Sequence, residues 1–259
     1  MKKSGVLMPV FSLPSPYGIG TLGKGAYKFA DWLKASGAGI WQVLPAGPTG
    51  YGDSPYQSFS SFAGNPYFID PDMLCGDGIL PEKDLPRKLP EGKAIDYGAL
   101  YASRRQMLQA AYEHSGKRLK SETDEFLASH PDIRDYALLM ALKDKFGGRC
   151  WHDFPKCLVR REKSALEKYK KLLADRTDYY VFEQYLFFSQ WKSLRGYVNS
   201  LGIEILGDMP IYVAPDSADV WANHRSFQLD GDRRPSFVAG VPPDYFSEDG
   251  QKWGNPLYD

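Results

Sequence analysis

The sequence predicts an α/β protein on a parallel sheet, the opening of a (β/α)8 TIM barrel. Two observations carry this prediction. Val6-Leu7-Met8-Pro9-Val10, Ile40-Trp41-Gln42-Val43-Leu44 and Ile203-Glu204-Ile205-Leu206-Gly207 are short apolar runs. They lack the polar alternation of a half-exposed sheet and read as buried strands. The step from Val6 to Ile40 is 34 residues, the length of one βα repeat in a barrel of about 250 residues and eight units.

The elements follow in order. Lys24 to Ser36 sets Ala26, Phe29, Ala30 and Leu33 on one helical face, and Gly37 supplies a stop. The strand–helix–strand unit implies a right-handed parallel crossover. From Ile40 to Ile203 the step is 163 residues, too long for one repeat, so a large insertion is expected. Its spacing is helical over 97–114, 133–146, 162–174 and 179–200, most clearly at Ile133, Tyr136, Ala137 and Met140. Pro86, Pro90, Pro131, Gly147-Gly148 and Pro155 break it. The last helix leads straight into the third strand and is assigned to the barrel wall. Three parts result: 1–75, the start of the barrel with an aromatic loop; 76–176, a mainly helical inserted subdomain; and 177–259, a barrel helix, the third strand and a Pro-rich aromatic loop.

Composition narrows the function. In 259 residues, 43% are hydrophobic and 25% charged, which excludes a disordered or fibrous chain. Lys plus Arg is 32 and Asp plus Glu is 32, so no basic excess favours nucleic acid. No run approaches the ~20 apolar residues of a membrane span. Pro9 cuts the first apolar run short of a signal peptide, so a cytoplasmic location is expected. Cys75, Cys150 and Cys157 make an odd set and read as reduced thiols. Cys150, His152 and Cys157 fit no zinc spacing, and no metal or other cofactor is expected.

Gly18-Ile19-Gly20-Thr21-Leu22-Gly23 matches a dinucleotide fingerprint, the basis of an oxidoreductase reading. Phe11 to Tyr17 separate it from the strand, however, and the second strand ends in Leu44-Pro45-Ala46 with no acid for a ribose. The match is set aside. Gly47 to Gly52 lacks the Gly-Lys-Ser/Thr ending of a phosphate loop.

The informative excess is aromatic: Tyr 17, Phe 14 and Trp 6. Gly50 to Tyr67 combines glycines, small hydroxyls, an amide and aromatic rings at the carboxyl end of a strand. A sugar presents flat C–H faces and a rim of hydroxyls, which rings and fixed polar groups bind. Asp208 follows the third strand, where a buried carboxylate is costly unless paired or functional. Asp216 is placed to cap a helix near Ala218. Val238 to Tyr258, with Pro242-Pro243, Tyr245-Phe246 and Trp253, reads as a mobile loop presenting aromatic surface.

Phe11-Ser12-Leu13-Pro14-Ser15-Pro16-Tyr17-Gly18-Ile19-Gly20, Gly50 to Tyr67, Gly207-Asp208-Met209-Pro210 and Gly240-Val241-Pro242-Pro243-Asp244-Tyr245-Phe246-Ser247 closely resemble the 4-α-glucanotransferases. These are the amylomaltases or disproportionating enzymes of glycoside hydrolase family 77. The resemblance spans the whole chain. It implies an eight-stranded barrel with inserted subdomains, and retaining transfer of α-1,4-glucan segments between maltooligosaccharides without metal or nucleotide. No membrane, nucleic-acid or obligate protein partner is expected.

By motif, Ser54 and Tyr56 resemble sugar contacts near the cleavage point. Asp208 resembles an active-site carboxylate that supports binding without being the nucleophile. Tyr245 and Phe246, with Asp244 beside them, resemble the substrate-binding loop over the acceptor side. Trp253 resembles a further sugar contact, and Tyr51 a residue of a separate glucan-binding groove.

Retaining chemistry needs two carboxylates about 5–5.5 Å apart. In this family both belong to later strands, the nucleophile in an Arg-Ile-Asp-His-like motif that this sequence does not contain. The expectation is the amino-terminal half of a longer enzyme, inactive alone, with two unpaired sheet edges that limit solubility. A rival expectation is a non-catalytic glucan-binding module using the same rings.

Overall fold

The structure, a computed structural model, describes residues 3–50, 52–89 and 94–259. Its elements are β1 (Gly5–Leu7), α1 (Lys24–Ala35), β2 (Ile40–Gln42), α2 (Pro71–Gly76), α3 (Tyr97–Ser115), α4 (Lys120–Ser129), α5 (Ile133–Lys145), α6 (Lys156–Val159), α7 (Lys163–Leu172), α8 (Ala174–Ser200), β3 (Glu204–Leu206), α9 (Ala218–Ala222), β4 (Val238–Val241) and β5 (Gln251–Pro256). They form two compact units. The first comprises Met1–Pro48, Gly64–His130 and Val181–Met209, the second Thr49–Ala63, Pro131–Tyr180 and Pro210–Asp259.

The first unit holds a parallel sheet in the order β1-β2-β3. Trp41 lies between Val6 and Ile205 in register and is fully buried, with its indole N–H donating to the Met8 carbonyl at 2.8 Å. Phe29 of α1 meets the Trp41 ring edge-on, with centroids 5.0 Å apart. That contact covers one face of the sheet.

The other face corrects the expectation of buried strands. Leu7, Gln42 and Leu206 form one cross-strand row, and both leucines are 51% exposed. Successive residues of a strand point to opposite faces, so an apolar run shows apolar character on both faces whether or not both are covered. The strands are also shorter than the runs. Val10 leaves the sheet and begins a 3-10 turn, Val10–Ser12.

Helix α1 ends as its sequence requires. Gly37 takes φ 74°, its N–H donates to the Lys34 carbonyl at 3.1 Å, and the Ala38 N–H donates to the Leu33 carbonyl at 3.0 Å. This pairing satisfies two carbonyls that the helix end would otherwise orphan.

In the same unit, two glutamines of α8 serve an extended stretch of chain. Gln184 accepts from the Gly64 N–H at 2.7 Å and donates to its carbonyl at 3.0 Å. Gln190 does the same for Asp70, at 2.7 and 3.1 Å. Both glutamines are buried, and each gives a loop residue the pair of bonds that a neighbouring strand would give.

The second unit packs Tyr136, Leu139, Trp151, Leu158 and Trp221 at 1% exposure or less. Its chain beyond α9 forms an antiparallel hairpin, β4 with β5, rather than the expected loop. Gly240 lies in β4, where a Cβ would overlap the Gln251 carbonyl oxygen. Gly250, at φ 71°, turns the chain into β5. The prolines and glycines that read as loop chemistry thus mark the ends of short strands.

Candidate functional site

Three groups of predicted residues lie in the second unit. The first is a closed turn. The Gly50 N–H donates to the Gln57 carbonyl at 2.9 Å and the Gln57 N–H to the Ser54 carbonyl at 3.0 Å, with Asp53 left-handed at φ 53°. The Ser54 hydroxyl accepts from the Tyr56 N–H at 3.3 Å, and the Tyr56 side chain is 44% exposed. Farther along, the hydroxyl of Ser58 accepts from the Ser60 N–H, and that of Ser60 from the Phe62 N–H. These two hydroxyls fix the loop itself, which leaves the rings as its outward chemistry.

The second group is the tip of the β4–β5 hairpin. Asp244 accepts the Phe246 and Ser247 N–H groups at 2.9 and 3.0 Å. A short polar side chain closing its own turn in this way presents the next residues outward. Tyr245 is 97% and Phe246 87% exposed, with rings 5.7 Å apart and nearly perpendicular.

The third group gathers around Trp253 on β5. Its indole N–H donates to Gln251 at 3.1 Å, and its ring lies 6.3 Å from Tyr212. Tyr212 stacks on Tyr258 at 6.1 Å and 15°, and Phe227 lies 5.3 Å from Tyr258. The Tyr258 hydroxyl donates to the Ile211 carbonyl and the Asn255 amide to the Val213 carbonyl, each at 2.9 Å. These bonds hold 211–213 against the hairpin. Tyr212 and Tyr258 were not singled out by sequence. Their signal was membership of aromatic stretches already noted, without a periodicity to pair them.

Asp208 lies in the first unit, half-buried, two residues past β3. Tyr51 lies outside the described residues. Asp216 does not cap α9; the Ser217 hydroxyl does, accepting the Val220 N–H at 3.3 Å. Ser217 immediately precedes the first turn, the position from which a side chain reaches that N–H. Asp216 instead binds Lys143 of α5 at 2.6 Å and the Trp151 N–H at 3.2 Å.

The dinucleotide-like glycines have a packing role. A Cβ at Gly20 would overlap the Val10 carbonyl oxygen, and one at Gly23 the Asp70 carboxylate. Asp70 itself accepts from the Thr21 hydroxyl at 2.6 Å and the Met73 N–H at 3.0 Å. A carboxylate therefore occupies the space a pyrophosphate would need beside α1.

Cys150 and His152 form a local pair. The His152 Nε2–H donates to the Arg233 carbonyl at 2.8 Å, which leaves Nδ1 as acceptor, 3.3 Å from the Cys150 sulfur. Burial pushes the Cys150 thiol up to about 11 and lowers the His152 imidazole. Both are neutral at pH 7. Among the described residues, no group of three or more His, Cys, Asp and Glu is arranged to hold a metal ion. A cavity of about 210 Å³ bounded by His152, Phe154, Arg160 and Asp232 contains none of the predicted residues.

Residues 8–259 match the family model described as 4-alpha-glucanotransferase. The chain is 49% identical to the 4-alpha-glucanotransferase of Thermus thermophilus, over 98% of this chain and 51% of that protein. It is 47% identical to that of Aquifex aeolicus, over 100% and 53%. Its fold is similar to that of an amylomaltase from Streptococcus agalactiae solved in complex with acarbose: TM-score 0.97, 42% identity, all of this chain and 53% of the other. An amylomaltase from Corynebacterium glutamicum, 20% identical with TM-score 0.70, shares the fold. The chain spans about half the length of the first three of these relatives and 36% of the Corynebacterium protein. The outward rings, the sequence match over nearly the whole chain and the fold agree: this chain belongs to the 4-alpha-glucanotransferase family.

Proposed function

We propose that this chain supplies the sugar-binding amino-terminal part of an enzyme that transfers α-1,4-glucan segments between maltooligosaccharides. The observation that carries the reading is the aromatic set of the second unit: exposed Trp253 beside half-buried Tyr212, and exposed Tyr245 with Phe246, each held by a hydrogen-bonded backbone. Rings of this kind pair with the apolar faces of pyranoses. The amylomaltase of similar fold was solved with acarbose, which supports a glucan-like ligand here.

The three parts 1–75, 76–176 and 177–259 are proposed as the start of a (β/α)8 barrel, a helical insertion, and the barrel helix, third strand and active-site hairpin. Ser54, Tyr56, Asp208, Asp244, Tyr245, Phe246, Trp253 and Tyr51 are proposed as glucan-binding residues. The mechanism is retaining double displacement, in which one carboxylate attacks the anomeric carbon and another protonates the leaving oxygen, then deprotonates the incoming hydroxyl. Both carboxylates are assigned to sequence other than these 259 residues, and the chain alone binds without turnover. The rings of Tyr245 and Phe246 favour a sugar acceptor over water by covering the intermediate. Three cysteines fit a reducing, cytoplasmic setting, and among the described residues no helix is long and apolar enough to cross a membrane.

The test is incubation of the purified chain with maltotriose and maltoheptaose. Saturable binding with no glucose or longer oligomers supports the reading. Products overturn the assignment of the carboxylates, and absence of binding overturns the assignment of the rings.

A further inference from the structure

Lys143 stands on the buried face of α5 with its side chain 5% exposed. Its ammonium donates to Asp216 at 2.6 Å and to the Arg149 carbonyl at 3.1 Å, and lies 4.9 Å from the centre of the Phe59 ring. The other oxygen of Asp216 accepts the Trp151 N–H, and the Trp151 indole donates to the Pro215 carbonyl at 2.9 Å. One cation thus joins α5, the 149–151 turn, the segment leading into α9 and the aromatic loop 49–63. The loop and that segment also meet directly. The Ala218 N–H donates to the Phe59 carbonyl at 2.8 Å, and Ser61 bonds Asp219.

A buried ion pair adds little stability over an apolar pair of similar volume, and where it earns its place it does so by selecting one arrangement of its surroundings. An ammonium offers three donors and a point charge, and here two oxygens and a ring face from three segments take them. We propose that Lys143 is a positioning residue for glucan binding. It fixes the turn bearing Ser54 and Tyr56 relative to the 210–217 segment bearing Tyr212. This rests on the glucan-binding reading above.

The test uses the whole 259-residue chain. Lys143→Met alone strands the charge of Asp216, so Lys143→Met/Asp216→Asn is made beside it, with Lys143→Arg as the conservative variant. Hydrogen exchange of the Ser61 and Ala218 amides reports the coupling without any sugar, and calorimetric titration with maltoheptaose reports binding. In the double variant, exchange at these amides is expected to rise about tenfold while the middle of α5 keeps its protection. Maltoheptaose affinity is expected to fall by about 5- to 30-fold, with partial recovery in Lys143→Arg. Unchanged exchange or unchanged affinity in a folded double variant overturns the proposal. An unfolded double variant overturns it too, by assigning the pair to stability. A wild-type chain that binds no maltoheptaose fails the glucan reading instead, and the exchange result then decides the clamp by itself.

Discussion

Both carboxylate oxygens of Asp219 are taken by one residue, Ser61: one accepts its backbone N–H at 3.0 Å and the other its hydroxyl. Asp219 is 7% exposed whereas Ser61 is exposed, so removing the carboxylate breaks two hydrogen bonds but leaves the freed Ser61 groups open to water. Asp219→Ala is expected to lower the unfolding free energy by about 1–2 kcal/mol. Asp219→Asn, which keeps one acceptor, is expected to cost less. Urea denaturation with an unchanged slope would check both.

The paired bonds from Gln184 and Gln190 lead to a second expectation. Each leucine substitution strands a buried N–H and a buried carbonyl. Gln184→Leu and Gln190→Leu should each cost about 2–4 kcal/mol. Gly64→Ala should also destabilise, because a Cβ there overlaps the Phe187 ring. Thermal melts of the three variants would show it, and a melt unchanged in Gln184→Leu would refute the role given to that amide.

The Cys150–His152 pair makes stability and reactivity depend on pH. Burial holds the His152 imidazole below its ordinary 6.5. Below pH 6.5 the unfolded chain therefore binds more protons there than the folded one, and stability is lost as the pH is lowered through that window. Above it the contribution is complete and flat. His152→Gln should reduce the acid-side slope of unfolding free energy against pH. Cys150, raised to about 11, should alkylate with iodoacetamide at a rate that climbs with pH until near that value, as peptide mass spectrometry would resolve.

Sugar binding should depend on the Trp253 ring and not on every exposed ring. Trp253→Ala is expected to weaken maltoheptaose binding about tenfold, or ~1.4 kcal/mol. Trp32→Ala, on α1 and 53% exposed, should leave affinity unchanged. Equal losses in both would remove the distinction.

Much of the frame was legible from spacing. The α1 face of Ala26, Ala30 and Leu33 is buried, and Gly37 ends that helix as read. Helices α3 and α5 fall within one residue of their expected bounds. Helix α4 was missed because it buries only Thr123 and Phe126 among its ten residues, too few for a period. The hairpin was missed because its strands carry glycine and proline, and their pairing is set by backbone approach that no residue type announces. At the site, aromatic content located the loops. The ties that hold them, Lys143 to Asp216 and Asp219 to Ser61, join residues 73 and 158 positions apart in the chain, where no local pattern extends.

Gln184 and Gln190 hold residues 64 and 70 through main-chain atoms alone. Such an anchor is blind to what the anchored stretch displays. Between those two points Asn65, Phe68 and Ile69 are buried, so only Pro66 and Tyr67 are open to change while the attachment of the stretch to its helix stays the same.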